Sequence, residues 1–426
     1  MKRLTDLKTN LDVAIIGAGA AGIAAGRVCA EHKLNFRIFE ARNRVGGRAH
    51  TLNFDGQPLD LGAHWMHMSA TNPLVPHAAK LKIETLTSSG SYPRYENGQR
   101  QSDELSQNIG KAWAITEANA LLKATAINDL SVADCMPTPE TYPQHKSWLD
   151  ALAFGHSLYS GRAAEEVSAF DYARVDDSEN LFPKGGYGLL VEKLSHNLPI
   201  ELNTPVTHID WSGEIIILHT AKDYIYTKKL IITVPTMVLA KGRIKFYPPL
   251  PQAHSNAIHT LKPAAYEHVI IKWIDHPFID GANQLTLFNG DRYRNISILA
   301  EIEGSSYHYV EVGGQILTDF KGTSEQKKAF SVEIALGELK KHFGSDLTNS
   351  IELVHVTDWW NDEYSAGSWS VAPPNAALSR ETLQTSIDHK IWFAGEASSP
   401  SQWGTVGGAW LEGERATREI LNAESI

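Results

Sequence analysis

The segment Val13-Ala14-Ile15-Ile16-Gly17-Ala18-Gly19-Ala20-Ala21-Gly22 constrains this chain more than any other. Four apolar residues fit a buried strand, and Gly-x-Gly-x-x-Gly then opens an alanine-rich helix. Glycines at that spacing allow a tight turn, bring backbone close to a pyrophosphate and let the helix pack hard against the strand. The helix start offers unpaired N–H groups and partial positive charge to phosphates. Eighteen residues beyond Gly22, Arg37-Ile38-Phe39-Glu40 ends a second strand in an acid placed for a ribose hydroxyl. Strand, turn, helix and acid come in the order of a βαβ dinucleotide site. Gly17, Gly19, Ala20, Ala21, Gly22 and Glu40 are therefore expected to hold a dinucleotide.

At 426 residues the chain is long enough for more than one domain. Apolar content of 42% and charged content of 21% are those of a soluble globular protein. A net charge of −10 disfavours nucleic acid and anionic membrane as partners and mildly favours a cationic ligand. Two cysteines, Cys29 and Cys135, provide neither a disulfide framework nor a thiolate metal site, and no metal is expected. Met1–Asn10 has no secretion-signal pattern and no apolar run reaches membrane-spanning length, so a soluble cytoplasmic protein is expected. Helical patterns are read around Asp103–Ala126, Trp148–Phe170, Ser324–Phe343 and from Val406. Strands are read at Ile200–Val206, Glu214–His219, Lys229–Val234, through much of 245–310, and at Ile391–Glu396.

The residues after Glu40 point to a particular cofactor. The run Glu40-Ala41-Arg42-Asn43-Arg44-Val45-Gly46-Gly47-Arg48-Ala49-His50-Thr51 resembles the second signature of the flavin amine oxidase superfamily. There the Gly-Gly pair lets backbone reach the FAD pyrophosphate and the arginine adds charge. Asn203-x-x-Val206, Ile231-Ile232-Thr233-Val234-Pro235, Phe393-Ala394-Gly395-Glu396 and Gly404-Thr405-Val406-Gly407-Gly408-Ala409 resemble later family segments in the right order. So does Glu166-Val167-Ser168-Ala169-Phe170 with the Phe182-to-Tyr187 turn after it, closest to the polyamine oxidase branch and its histone-demethylase relatives. The resemblance implies an α/β fold: a Rossmann-type FAD-binding domain interleaved with a substrate domain of mixed sheet plus helices. The expected division is 1–80, 183–245 and 380–426 for FAD, with 81–182 and 246–379 for substrate. Ala41, Arg42, Gly46, Gly47, Arg48, Val206, Gly395, Glu396, Gly404, Thr405, Val406 and Ala409 join the cofactor set, the last helix presenting its positive end to the flavin.

The same resemblance implies the reacting groups. Asp60-Leu61-Gly62-Ala63-His64-Trp65-Met66-His67 is similar to a polyamine oxidase motif in which Gly62, Ala63, His64 and Trp65 would face the cofactor and His67 the substrate channel. A purely structural hydrogen-bonding role for His67 stays open. Met68 stands where a glycine is usual. Trp359-to-Trp369 resembles an aromatic-rich strand whose last member, Trp369, belongs to the aromatic cage, with Trp359 and Trp360 read as core. Ser368 occupies the position of the cysteine that bonds flavin in monoamine oxidases, so non-covalent FAD is implied. Thr405 stands at the opposite cage wall.

In Ala264-to-Trp273, His268 takes the slot of the family lysine that holds a water near flavin N5, with Lys272 the candidate in a slipped register. A histidine there still binds water and could assist deprotonation. The implied reaction is FAD-dependent amine oxidation with His268, Trp369 and His67 at its centre, and oxygen or another acceptor taking the electrons. An L-amino-acid oxidase would want an arginine where Trp65-Met66-His67 stands. A flavin desaturase or protoporphyrinogen-type oxidase would want a wide apolar tunnel, and a non-catalytic role would treat His268 as decay. The amine and the oligomeric state are not legible.

Overall fold

The computed structural model describes residues 11–87, 92–141, 146–175, 179–278 and 284–424; Met1–Asn10, where a secretion signal would stand, lie outside them. The Leu11–Ile16 strand runs parallel to Phe36–Phe39 on one side and Tyr224–Ile232 on the other. Ile391–Phe393 adds a parallel strand beyond Tyr224–Ile232, and Ile200–Glu201 one beyond Phe36–Phe39. Their apolar side chains fall on both faces, as a parallel sheet covered on both sides requires. The Ala20–Glu31 helix packs along the closing helix Val406–Glu424, so the two chain ends share one core. This is the α/β dinucleotide-binding arrangement expected from the glycine turn.

A second sheet of seven strands is antiparallel except where Gln284–Phe288 meets Arg94–Glu96 in parallel. Its order is Glu352–Val356, Tyr266–Lys272, Tyr307–Gly313, Ile296–Leu299, Gln284–Phe288, Arg94–Glu96, Gln99–Arg100. One face packs on the Ser324–Thr348 helix through Ile334, Ala335 and Leu339. The opposite face looks toward the Asp103–Lys123 and Lys146–Ser160 helices, and the space between becomes the floor and roof of a cavity.

Three expectations shift. The helix read over Trp148–Phe170 ends at Ser160, because Gly161 turns left-handed (φ 69°) against Ala264; a short 3₁₀ turn and the Ala169–Ala173 helix come after it. The helical pattern over Ser324–Phe343 breaks at Gly344 (φ 81°) before one further turn. The Trp359–Trp369 segment is a series of turns rather than a strand. The buried Glu267 carboxylate accepts the Trp359 and Trp360 N–H groups at 3.0 and 3.1 Å and the Thr357 hydroxyl at 2.6 Å. It takes the donors that a neighbouring strand would have used.

One fully buried ion pair knits these pieces. Arg380 reaches Asp171 with three bonds of 2.9–3.0 Å and also donates to the Ser370 hydroxyl, Ser370 O and Ala397 O. Removing one partner strands a buried charge, which costs about 3–5 kcal/mol. Arg380→Met is expected to lower thermal stability on that scale, read by calorimetry. Asp171→Asn with Arg380→Met should recover part of the loss.

Candidate active site

A cavity of about 860 Å³ begins at the glycine turn and ends between the second sheet and its two helices. Its first part is made by the cofactor candidates. Gly17 adopts φ 103°, and a Cβ there would come within 2.5 Å of the Thr233 hydroxyl. A Cβ on Gly22 would lie 1.9 Å from Gly17 O, which explains why the helix must begin with glycine. Gly22 packs beneath the turn, while Gly17, Gly19, Ala20, Ala21, Glu40, Ala41, Arg42, Gly46, Gly47, Arg48, Val206, Gly395, Glu396, Gly404, Thr405, Val406 and Ala409 all line the cavity. Such a glycine-walled cradle leaves backbone N–H groups of the helix start open to phosphate, and the residues fit a dinucleotide.

Several of these side chains are already engaged by protein. Glu40 accepts from Ala18 N at 2.7 Å and Arg42 N at 2.8 Å, tying the glycine turn to the Gly-Gly arm. The Arg42 guanidinium is bonded to Asp362 and Ser365. Arg48 pairs with Glu396 at 2.9 Å. Burial opposes ionisation of Glu396, but Arg48, Arg380 and the Ser370 hydroxyl outweigh it and hold the carboxyl below its ordinary range. The Thr405 hydroxyl accepts from Gly408 N at 2.9 Å, capping the last helix rather than standing as a cage wall.

The wall opposite Trp369 is Tyr266, which no motif in the sequence marks. Their ring centroids are 5.3 Å apart, and Trp369 is fixed by its indole N–H on Ser160 O at 3.0 Å. Tyr266 lies two residues before His268, hence on the same strand face; that spacing was the available signal. Ser368 donates to Tyr266 O at 2.8 Å, so the hydroxyl at the flavin-bonding position is spent on backbone.

His268, not Lys272, faces the cavity; Lys272 lies over the Tyr307 ring on the far side of the site. His268 is buried, stacked on Tyr309 at 4.7 Å and 5.1 Å from the His64 ring. Burial lowers its pKa to about 4. At neutral pH it is therefore a neutral hydrogen-bonding ring and a weak base, which corrects the expectation that it assists deprotonation.

His64, expected among the cofactor residues, joins it. Its Nδ1 faces Gly62 O at 3.2 Å, so the proton sits there and Nε2 presents a lone pair. That lone pair looks at Glu311 Oε1 across 4.0 Å. Glu311 is buried, hydrogen-bonded to the Tyr266 and Ser297 side chains, and its pKa is raised by burial. His64, His268 and Glu311 offer ligand atoms within 4.8 Å of one another, an arrangement that suits a cation, ammonium or metal. Glu311 carries no sequence motif. His67 also lines the cavity, with Nδ1 at 3.1 Å from Asn180 Oδ1. Beside it, Met68 keeps a left-handed backbone (φ 55°), the conformation a glycine takes easily. Trp65 stacks on Phe182 at 3.9 Å.

The family model for flavin-containing amine oxidoreductases matches residues 20–173 and 147–421. The chain belongs to that family. Among its relatives, polyamine oxidase 3 of Oryza sativa subsp. japonica is 30% identical over 440 residues, covering 95% of this chain and 88% of the relative. Polyamine oxidase 2 of Arabidopsis thaliana is 28% identical, with 96% and 87% covered. Human lysine-specific histone demethylase 2 is 25% identical over 96% of this chain but only 53% of its own length. The chain is thus a flavin-dependent amine oxidase with the motifs of the polyamine oxidase branch.

Two buried histidines generate a pH dependence in this amine oxidase. Burial takes His156 to about 3 and His268 to about 4, below the ordinary 6.5. The unfolded chain then binds protons that the folded one refuses, so stability is full above pH 6.5 and falls as pH drops toward 4. At pH 5 each ring withholds about 2 kcal/mol. Melting temperature is expected to decline steadily from pH 7 to 5, and His268→Gln to flatten that slope.

Proposed function

We propose that this chain oxidises a primary or secondary amine, of the polyamine class or a related chain-like amine, with non-covalently bound FAD. The carrying observation is one continuous cavity running from the glycine turn to the Tyr266–Trp369 pair and the His64–His268–Glu311 acceptors. Gly17, Gly19, Glu40, Gly46, Gly47, Arg48 and Val206 would hold the dinucleotide, and Gly395, Gly404 and Val406 the flavin end. Ser368 is bonded to the Tyr266 backbone, and Cys29 and Cys135 are buried outside the cavity, which supports a non-covalent cofactor. The presence of two separate large sheets supports a division into an FAD part and a substrate part. No helix among the described residues is long and apolar enough to cross a membrane, and a cytoplasmic site of action is part of the proposal.

When bound, the flavin takes a hydrogen with its electron pair from the carbon beside the nitrogen, the imine left behind is hydrolysed to aldehyde or ketone plus amine, and dioxygen recovers the pair as hydrogen peroxide. The protein's part is placement. Trp369 and Tyr266 bracket the amine and fix the reacting carbon. Their faces attract the cationic amine on entry. Glu311 Oε1 and His64 Nε2 face each other as acceptors and are satisfied by N–H groups brought in by the amine or by a water. Glu311, with its raised pKa, can take the ammonium proton and release the neutral amine that gives up the hydrogen. His67, held by Asn180, borders the chain further out.

Anaerobic titration of the purified yellow protein with spermine, spermidine, tyramine and L-amino acids tests the reading. Amines are expected to bleach the flavin and L-amino acids to leave it coloured. Bleaching by dithionite alone would sink it. Glu311→Gln is expected to slow bleaching about a hundredfold without loss of flavin. Acid precipitation should leave FAD, identified by mass, in the supernatant; flavin in the pellet would exclude non-covalent binding.

A further inference from the structure

The cavity floor is a single lateral row across five strands. His268 is the register partner of Glu311, Glu311 of Ser297, Ser297 of Thr286, and Thr286 of Arg94. All five line the cavity. Register partners point to the same face, so the row is continuous, with His268 at the reacting end and Arg94 at the far end. Four interstrand steps of about 4.8 Å put the two ends roughly 19 Å apart along the sheet.

Charge along this row is ordered. The inner end holds the Glu311 carboxylate beside His268. Ser297 and Thr286 are neutral. Arg94 closes the row and donates from Nη1 to Ser106 O, at the first turn of the roof helix Asp103–Lys123. Among the described residues no carboxylate lies within ion-pair distance of Arg94. Glu117, further along the same helix, receives the Trp113 indole N–H at 2.8 Å. Burial alone moves the Arg94 pKa, down to about 10, so it remains a cation at neutral pH. A largely desolvated guanidinium with a single carbonyl partner is costly to keep, and a bidentate anion is the group its planar fork fits.

We propose that Arg94 is a specificity residue that binds an anionic group, a carboxylate or one of similar planar chemistry, at the far end of a long amine substrate. The inference rests on the amine-oxidation reading and names its substrate class: a chain with an ammonium at Glu311 and an anion at Arg94. A second ammonium at that position would meet like charge. An α-amino acid is too short, since its charges are joined through one carbon while the two ends of the row are several strands apart.

Three probes of matched length decide it: aminododecanoate, diaminododecane and dodecylamine, each added anaerobically to the purified holoenzyme while flavin bleaching is timed. Aminododecanoate is expected to give the highest rate per concentration, at least about tenfold above diaminododecane, the scale of one charge-assisted contact. Arg94→Glu is expected to reverse that order, and Arg94→Lys, which keeps charge without the fork, to retain it at reduced size. Equal rates with the wild-type protein, or a preference for diaminododecane, would overturn the inference while leaving amine oxidation standing. Failure of every amine to bleach a flavin that dithionite bleaches would overturn both. Should Arg94→Glu lose its flavin, the wild-type comparison and Arg94→Lys still decide.

Discussion

One buried carboxylate joins the three segments on which the cofactor cradle depends. Glu396 accepts from Arg48 on the Gly-Gly arm, from Ser370 beyond the aromatic turns, and from Gly404 N at the approach to the last helix. Ser370 in turn receives the Arg380 guanidinium, which holds Asp171. Near and far parts of the chain thus meet through one set of charges in a dry interior, where each partner is needed by the next. The Arg48–Glu396 pair also assigns Arg48 a task besides phosphate charge: it fixes the distance between the first sheet's turn and the aromatic wall.

The reacting end obeys a different logic. Here acceptors face acceptors, with His64 Nε2, Glu311 Oε1 and the His268 ring nitrogens lacking hydrogen-bond partners of normal geometry. Buried polar atoms left open in this way are expensive, and they become satisfied when a donor enters. The surrounding Tyr266, Tyr309 and Trp369 rings keep bulk water from doing so cheaply. The site is therefore least comfortable when empty, which favours ligands rich in N–H donors.

The cofactor half was legible because its constraints are local. Gly17 and Gly22 answer to backbone geometry within a few residues, and Glu40 closes a turn built from its neighbours. Helix ends were less legible: Gly161 breaks the Trp148–Phe170 pattern only because Ala264, far away in sequence, crowds it. Trp359–Trp369 looks like a strand by composition, yet Glu267 from another strand takes its N–H groups. Tyr266, Glu311 and Arg94 had no motif at all. They become neighbours through register across the second sheet, which single-sequence periodicity does not encode.

A floor made from one register row works as a ruler. Its graduations are strands, so charge can move along the cavity only in steps of about 4.8 Å. Exchanging Thr286 or Ser297 for a charged residue would shift the preferred substrate length by one graduation, without remodelling the flavin cradle or the aromatic walls. Relatives that share this sheet but differ along the row can diverge in the length and charge of their amines while conserving every part of the chemistry. Substrate range in such enzymes is then a property of pairing between strands, written crosswise to the chain.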